Sequence, residues 1–417
     1  MKAMVDQSTG SHSPIGPQSL ALLGGAGQRL KQWLVEDAYP TWWQRGADRM
    51  YGGFHERLHQ SGEPSDEPRR ARLHPRQMYA FSLADDLGHD GLTELATRHS
   101  LDYFLRHYLR DDHFIRNCVA PDGAVVDDSV LLYDQAFALL GYASAFDVFN
   151  DESLRDRAHQ LLDNICRHLR NDTGGFRESP DRDGLLTSNS HMHLFEAALA
   201  WMAFDHDQRW RLLAEQLVQL ALTRLLDPAT AQIREFFTAE WVPAAGEMGR
   251  IVEPGHQFEW AWLLLRWHAF SRDSRAASTA LALVDAAENR GVDPRRGVAV
   301  NALLDDGRIR DGRARLWPQA ERLKAACLAW DTTRLPIYCD MAHRAAVSLE
   351  RYLQTMTPGL WRDTMTLDGG WVDEPAPASS LYHVVAAIAE LDGIINRVTP
   401  PAIGYVGRIN KPNRRIY

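Results

Sequence analysis

Six times along this chain, a helix-period segment rich in charges precedes a helical run that is apolar nearly all round. The first kind, with apolar residues at three-and-four spacing, spans residues 29–46, 91–110, 153–170, 208–226, 275–290 and 336–356. The second spans 74–87, 130–149, 191–204, 256–270, 317–330 and 381–391. Between the two members of each pair lies a turn or a strand-like segment: Gly52-Gly53-Phe54, Gly123-Ala124-Val125, Gly174-Gly175-Phe176, Ile233-Arg234-Glu235-Phe236-Phe237, Gly297-Val298-Ala299-Val300 and Gly369-Gly370-Trp371. Their separations of roughly 50 to 70 residues are those of an internal repeat. A helix with one apolar stripe can lie on a surface, whereas a helix with no polar face must be covered all round. Six hairpins of one outer and one inner helix meet both demands if they close into a ring. The expected fold is therefore all-α, an (α/α)6 barrel of six helical hairpins with short β-hairpin or turn connections. The pattern is weakest at 227–253 and 291–315, which read as long loops with little glycine punctuation.

A length of 417 residues would allow two or three domains, but no Gly/Ser/Pro-rich linker interrupts the middle, so one domain over 21–398 is expected. The first 20 residues, rich in Ser, Gly, Pro and Gln without an apolar core, read as a disordered arm rather than a signal peptide. Residues 399–417, with Arg408, Lys411, Arg414 and Arg415, read as a solvated tail. A net charge of -9 gives no basic footprint for nucleic acid. No run approaches the ~18 apolar residues of a membrane span, so no membrane partner is expected and the expected compartment is the cytoplasm. Cys118, Cys166, Cys327 and Cys339 are scattered without a C-x-x-C, which points to neither a zinc site nor a disulfide framework.

In each inner run the polar side chains gather in the first turns. The sets are Arg76 and Gln77; Tyr133, Asp134 and Gln135; Asn189, His191, His193 and Glu196; His256, Gln257 and Glu259; Trp317, Gln319 and Glu321; Tyr382 and His383. Pro75, Pro254 and Pro318 lie at or just before three of these starts, where a fixed φ and a missing N–H are tolerated. Inner helices that run parallel bring these starts to one mouth, so a single polar pocket is expected. Two copies of a His-x-Phe-Glu pattern, at His193/Glu196 and His256/Glu259, place an imidazole and a carboxylate three residues apart on one helical face.

The first chemical reading is proton transfer on a small polyol. An imidazole with a pKa near ~6.5 can take and return a proton at neutral pH. His256 and His383 are the candidate acid/base groups. Glu196 and Glu259 would orient an imidazole or bind hydroxyls, and Arg76 would stabilise an enediolate oxygen. Tyr133, Trp317 and Tyr382 offer faces for sugar C–H groups, with Asp134, Gln319 and Glu321 as further supporting groups. Other readings stay open at this point. Two His-x-x-Glu pairs could hold a cation, although bundle di-metal sites favour the order Glu-x-x-His. A glycoside hydrolase needs two carboxylates across a scissile bond, and Asp134, Glu196, Glu259 and Glu321 are available. A non-catalytic carbohydrate-binding module would need no pair of bases.

At these residues the chain resembles the N-acylglucosamine 2-epimerase superfamily. The matching stretches are HPRQMYAFS around Arg76, YDQAFALLG from Tyr133, NSHMHLFEA from Asn189, PGHQFEWAWLL from Pro254, LWPQAE from Leu316, and the terminal GGW followed by Tyr382-His383, covering about residues 30 to 390. The resemblance implies an (α/α)6 barrel and a 1,2-proton shift on an open-chain sugar through a cis-enediolate, with no cofactor and no metal. It implies His256 and His383 as the acid/base pair and His193 as an aid to ring opening. It further implies Arg76 at the O1/O2 region, Glu196 and Glu259 as anchors, and Asn189 on hydroxyls. With no anion-binding cluster beyond Arg76, the motifs are most similar to those of mannose isomerases. The expected reaction is interconversion of D-mannose and D-fructose, with sugar 2-epimerisation as the alternative. The expected partner is a monosaccharide, and a homodimer is the assembly this reading allows.

Overall fold

A computed structural model describes residues 17–180 and 184–398. Among them, twelve helices of ten residues or more alternate between outer and inner positions. The outer set is α1 (Pro17–Trp33), α3 (Thr93–His107), α5 (Glu152–His168), α7 (Gln208–Leu220), α9 (Ser274–Gly291) and α11 (Pro336–Tyr352). The inner set is α2 (Leu73–Ser82), α4 (Leu132–Phe149), α6 (Ser188–Trp201), α8 (Pro254–Ser271), α10 (Leu316–Thr333) and α12 (Leu381–Val398). Each inner helix packs against the next, and α12 returns to α2, which closes the ring. Outer helices cover the seams, with α1 lying on α11 and α12. The chain is thus an (α/α)6 barrel.

Local sequence explains the alternation. In α5 only Leu154, Ala158, Leu161, Leu162 and Ile165 are buried, a single stripe, whereas α4 is buried almost continuously from Leu132 to Phe146. Two inner helices hand over to their outer partners through two residues, a left-handed stop and an aspartate cap. These are Asn150 (φ 50°) then Asp151, whose carboxylate accepts from Ser153 N, and Arg272 (φ 63°) then Asp273, which accepts from Arg275 N and Ala276 N.

At the other end, short strands join neighbouring repeats. The strand that leads into an inner helix pairs with a hairpin strand of the following repeat: Arg69–Arg70 with Cys118–Val119, Leu186–Thr187 with Phe236–Phe237, Ile251–Val252 with Ala302–Leu304, and Ala314–Arg315 with Thr364–Met365. The last of these entry strands, Ala376–Pro377, pairs with Arg57–Leu58 of the first repeat. This belt holds the starts of the inner helices at one rim.

Several expectations need adjustment. Helix α1 begins at Pro17, inside the stretch read as an arm, while residues 1–16 and the tail at 399–417 lie outside the described residues. The supposed long loops at 227–253 and 291–315 carry the strands of the belt, short pairings whose two-residue partners leave little periodicity in the sequence. One helical stretch, Ala378–Val398, is long and apolar enough to cross a membrane, contrary to the sequence reading, but it is 83% buried as the last inner helix. A helix covered on every side by protein has the same composition as one covered by lipid.

Candidate active site

The rim encloses a cavity of about 260 Å³ to which all six repeats contribute: Arg76, Tyr133, Asn189 and His193, Glu253 with His256 and Glu259, Arg315 and Trp317, and Ser379, Ser380 and His383. A larger depression of about 490 Å³ lies on the outside of α5, around His113, His159 and Asp163. Asp163 there pairs with Arg209 at 2.7 Å and His159 with Asp205, and the depression contains none of the six polar sets.

Each histidine in the central cavity is held from behind by a carboxylate. His256 Nδ1 donates to Glu235 Oε2 at 2.9 Å, with Glu253 at 3.6 Å. His383 Nδ1 donates to Glu321 Oε1 at 2.7 Å, and His193 Nδ1 to Glu196 Oε2 at 3.1 Å. A donated Nδ1–H leaves Nε2 as the working nitrogen of each ring. The rings of His256 and His383 both pack on Trp317, with centroids 5.1 and 5.6 Å from the indole. Three groups of His and Glu come within 4.8 Å, close enough to surround an ion. In each, the histidine Nδ1 is already hydrogen-bonded to a carboxylate.

The electrostatics separate the two principal histidines. Burial alone would lower the pKa of His256, but Glu235 and Glu253 outweigh it and push it up to about 10. His383 lies well below the ordinary 6.5, from burial first, then from Arg76 and Lys324. One imidazole is therefore charged and the other neutral at pH 7. Burial also takes His193 down to about 4, against the pull of Glu196. Glu196 itself is held below the usual carboxylate value, since bonds from His193 and Tyr382 and the charge of Lys324 overcome its burial.

Arg76 Nη2 donates to Tyr133 Oη at 2.8 Å, and its guanidinium stands 4.2 Å from the Phe137 ring centroid. The Oδ1 of Asn189 and both oxygens of Glu259 are buried without a hydrogen-bond partner among the described residues, which suits them to sugar hydroxyls. Burial and the nearby Glu321 and Glu196 raise Glu259 well above the usual range, which favours the protonated form, able to donate.

Not every sequence-predicted residue reaches the cavity. Glu196 and Glu321 stand behind His193 and His383, and Tyr382 donates to Glu196. Asp134 is fully buried outside the lining, 3.4 Å from Arg72, with burial raising its pKa to about 6. Gln319 serves architecture: its Oε1 accepts from Ala299 N at 2.8 Å and its Nε2 donates to Ala299 O at 2.9 Å. Gln135 clamps Ile115 and Gln257 clamps Ile233 in the same way. His74 and His191 take the equivalent role, accepting from Phe54 N and Phe176 N at 3.2 and 3.0 Å. These approaches require Gly53 (φ 65°) and Gly175 (φ 69°), where an added Cβ would come within 2.4 and 3.0 Å of the respective imidazole nitrogens. Glu259 makes no ion pair with His256, its neighbour in the His-x-Phe-Glu pattern, and lies 3.8 Å from His193 instead.

Glu235, Arg315, Ser379, Ser380 and Lys324 escaped the sequence reading, and Glu253 stood out there only as the partner of His256 in a Glu-x-x-His order broken by Pro254-Gly255. The signal for Glu235 was a carboxylate inside an apolar strand-like run. For Lys324 it was an ammonium three residues after Glu321, inside a run expected to be an inner helix.

Comparison with known proteins fits this geometry. Residues 52–387 match the model of the N-acylglucosamine 2-epimerase (GlcNAc 2-epimerase) family. A mannose-6-phosphate isomerase of Rhizobium meliloti is 41% identical over 379 residues, which cover 88% of this chain and 97% of the relative. A D-mannose isomerase of Marinomonas mediterranea is 25% identical over 82% of this chain and 91% of its own length. Among solved structures, the cellobiose 2-epimerase of Spirochaeta thermophila superposes with a TM-score of 0.83 at 21% identity, covering 92% of this chain and 100% of that one. The chain belongs to the N-acylglucosamine 2-epimerase family and is an enzyme, an aldose–ketose isomerase or a 2-epimerase.

Proposed function

We propose that the enzyme interconverts D-mannose and D-fructose through a cis-enediolate. The observation that carries this reading is the pair of histidines in one cavity, each with its Nδ1 on a carboxylate but in surroundings that favour the charged form of His256 and the neutral form of His383. Groups whose environments drive their pKa values apart are the ones that divide acid and base work. His383, neutral, removes the C2 proton of the open-chain aldose, and the C–H electron pair becomes the C1–C2 double bond of the enediolate. Arg76 stabilises the oxygen on which charge develops. Return of a proton to C1, with the O2 proton passing to O1, gives the ketose. Return of a proton to the opposite face of C2 would instead give the epimer. His256, charged, is the proton donor, and His193 with Asn189 assists ring opening. No step calls for a metal.

A phosphorylated mannose is a second reading, favoured by Arg315. Its Nε is tied to Asp363 at 3.1 Å, and the half-exposed guanidinium lines the cavity as a second guanidinium besides that of Arg76. The relative named mannose-6-phosphate isomerase points the same way. The test is NMR of D-mannose and, separately, mannose 6-phosphate incubated with the enzyme in D2O containing EDTA. Fructose carrying deuterium is expected from mannose. Glucose alone, with no ketose, would replace isomerisation by epimerisation. Turnover of the phosphate ester only would favour the second reading. Activity that needs an added divalent ion would overturn the metal-free step.

The same reading fixes the pH dependence. The acid must stay protonated, so kcat/KM falls as pH rises through about 10, the value for His256. The base must stay neutral, so kcat/KM also falls as pH drops through the lowered value of His383. Replacing Glu235 with Gln removes the main support of the charged imidazole. The alkaline limb then moves down towards neutrality while the acid limb stays, as a pH–rate profile would show. An unmoved alkaline limb would mean that His256 is not the acid.

A further inference from the structure

Two His–carboxylate pairs in this cavity have nearly the same contact, 2.9 Å at His256 and 2.7 Å at His383, and both imidazoles are buried. A carboxylate beside an imidazole favours the charged form. What differs is what stands behind the carboxylate. Glu321 uses its second oxygen for Lys324 Nζ, 2.8 Å away. Lys324 is completely buried and its ammonium also stands 3.8 Å from the centroid of the Trp262 indole. Among the described residues, no lysine or arginine forms an ion pair with Glu235 or Glu253. Arg315 and Arg310 act on Glu253 only at longer range.

We propose that Lys324 decides which histidine is the base: its ammonium on the far oxygen of Glu321 keeps His383 neutral, while the uncompensated carboxylates behind His256 make that residue the acid. Lys324 touches no substrate and is a positioning residue, acting through Glu321. The inference rests on the isomerase reading only in naming the consequence for catalysis. The groups facing His383 agree with it. Arg76 comes from α2, His193 and Glu196 from α6, Glu259 from α8, Glu321 and Lys324 from α10, and Tyr382 precedes it on α12. The positive members are Arg76 and Lys324. Arg76 stands in the cavity, so Lys324 is the cation behind the ring. Burial alone would discharge Lys324, but Glu321, Glu259 and Glu196 hold it above the usual lysine value. Burial first, then Glu321 and Glu196, raise the pKa of Glu259 against the pull of Lys324.

The test compares wild type with Lys324→Met, which removes the charge at similar length, and Lys324→Gln, which keeps a donor for Glu321 without the charge. Imidazole NMR of the wild type should show His383 neutral, with the proton on Nδ1, from pH 6 to pH 8. In either variant its titration should rise by about one pH unit or more, the size expected for loss of one nearby charge. The signal of His256 should stay in place. In the pH–rate profile on mannose the acid limb should move up and the alkaline limb should not. A cationic His383 in the wild type at pH 7, or variants whose activity is scaled down at every pH with both limbs unmoved, would overturn the proposal. The NMR titration needs no turnover. An enzyme inert towards mannose whose His383 still responds to Lys324 would refute the proposed function and leave this inference standing.

Discussion

His383→Asn and His256→Asn should each lower kcat by roughly 100-fold to 10,000-fold, the range of a general acid or base. Asparagine can still donate to the carboxylate behind each ring, Glu321 or Glu235, so the melting temperature should stay close to that of the wild type. The two variants should differ in D2O. His256→Asn retains the neutral base, so the substrate should exchange its C2 hydrogen without forming ketose, whereas His383→Asn should lose exchange and turnover together. If both variants keep more than about a tenth of wild-type kcat, neither residue is the catalyst. The role would then pass to His193 or Glu259, both on the cavity wall.

Replacing Arg76 with Met should cost about 100-fold to 1,000-fold in kcat, the loss seen when one donor to a developing oxyanion is removed. The effect should fall on kcat more than on KM, because the charge on the sugar oxygen exists only near the enediolate. Two further consequences separate this from a packing defect. Tyr133 loses the 2.8 Å bond from Arg76 but remains beside the cavity, so binding of the unreactive sugar alcohol mannitol should survive. His383 loses one of the positive charges that lower its pKa, so the acid limb should move upward as well. A variant with raised KM and unchanged kcat would place Arg76 in ground-state binding instead.

Local features of the site were legible in the sequence, and features created by closure were not. The spacing of His193 and Glu196 is three residues on one helix, and the 3.1 Å bond follows from helical geometry. The same spacing misled at His256 and Glu259, because the ring turns Glu259 towards its neighbour's histidine. Glu235 reaches His256 from the bend between two short strands, 21 residues earlier, a distance at which no periodicity operates. Gln319 looked like a site residue because an amide at the start of an inner helix is equally apt for a hydroxyl or for a backbone pair. Only the position of Ala299 settles which. The fold itself was readable because a helix without a polar face leaves few arrangements open. Its strand belt was not, since two-residue pairings carry almost no pattern.

The belt between Arg57–Leu58 and Ala376–Pro377, with Trp42 stacked on Trp361 at 4.8 Å, joins the first repeat to the last. An open solenoid can lose a terminal repeat and keep the rest. Here the proposed reacting groups come from the first, third, fourth and sixth inner helices, so the cavity has no meaning in any fragment. Opening one seam, even at the edge farthest from His256, removes Arg76 or His383 from the others at once. Catalytic turnover is therefore an all-or-none gauge of ring integrity, and mutations far from the cavity that loosen this seam will read out as lost activity before they read out as lost helix.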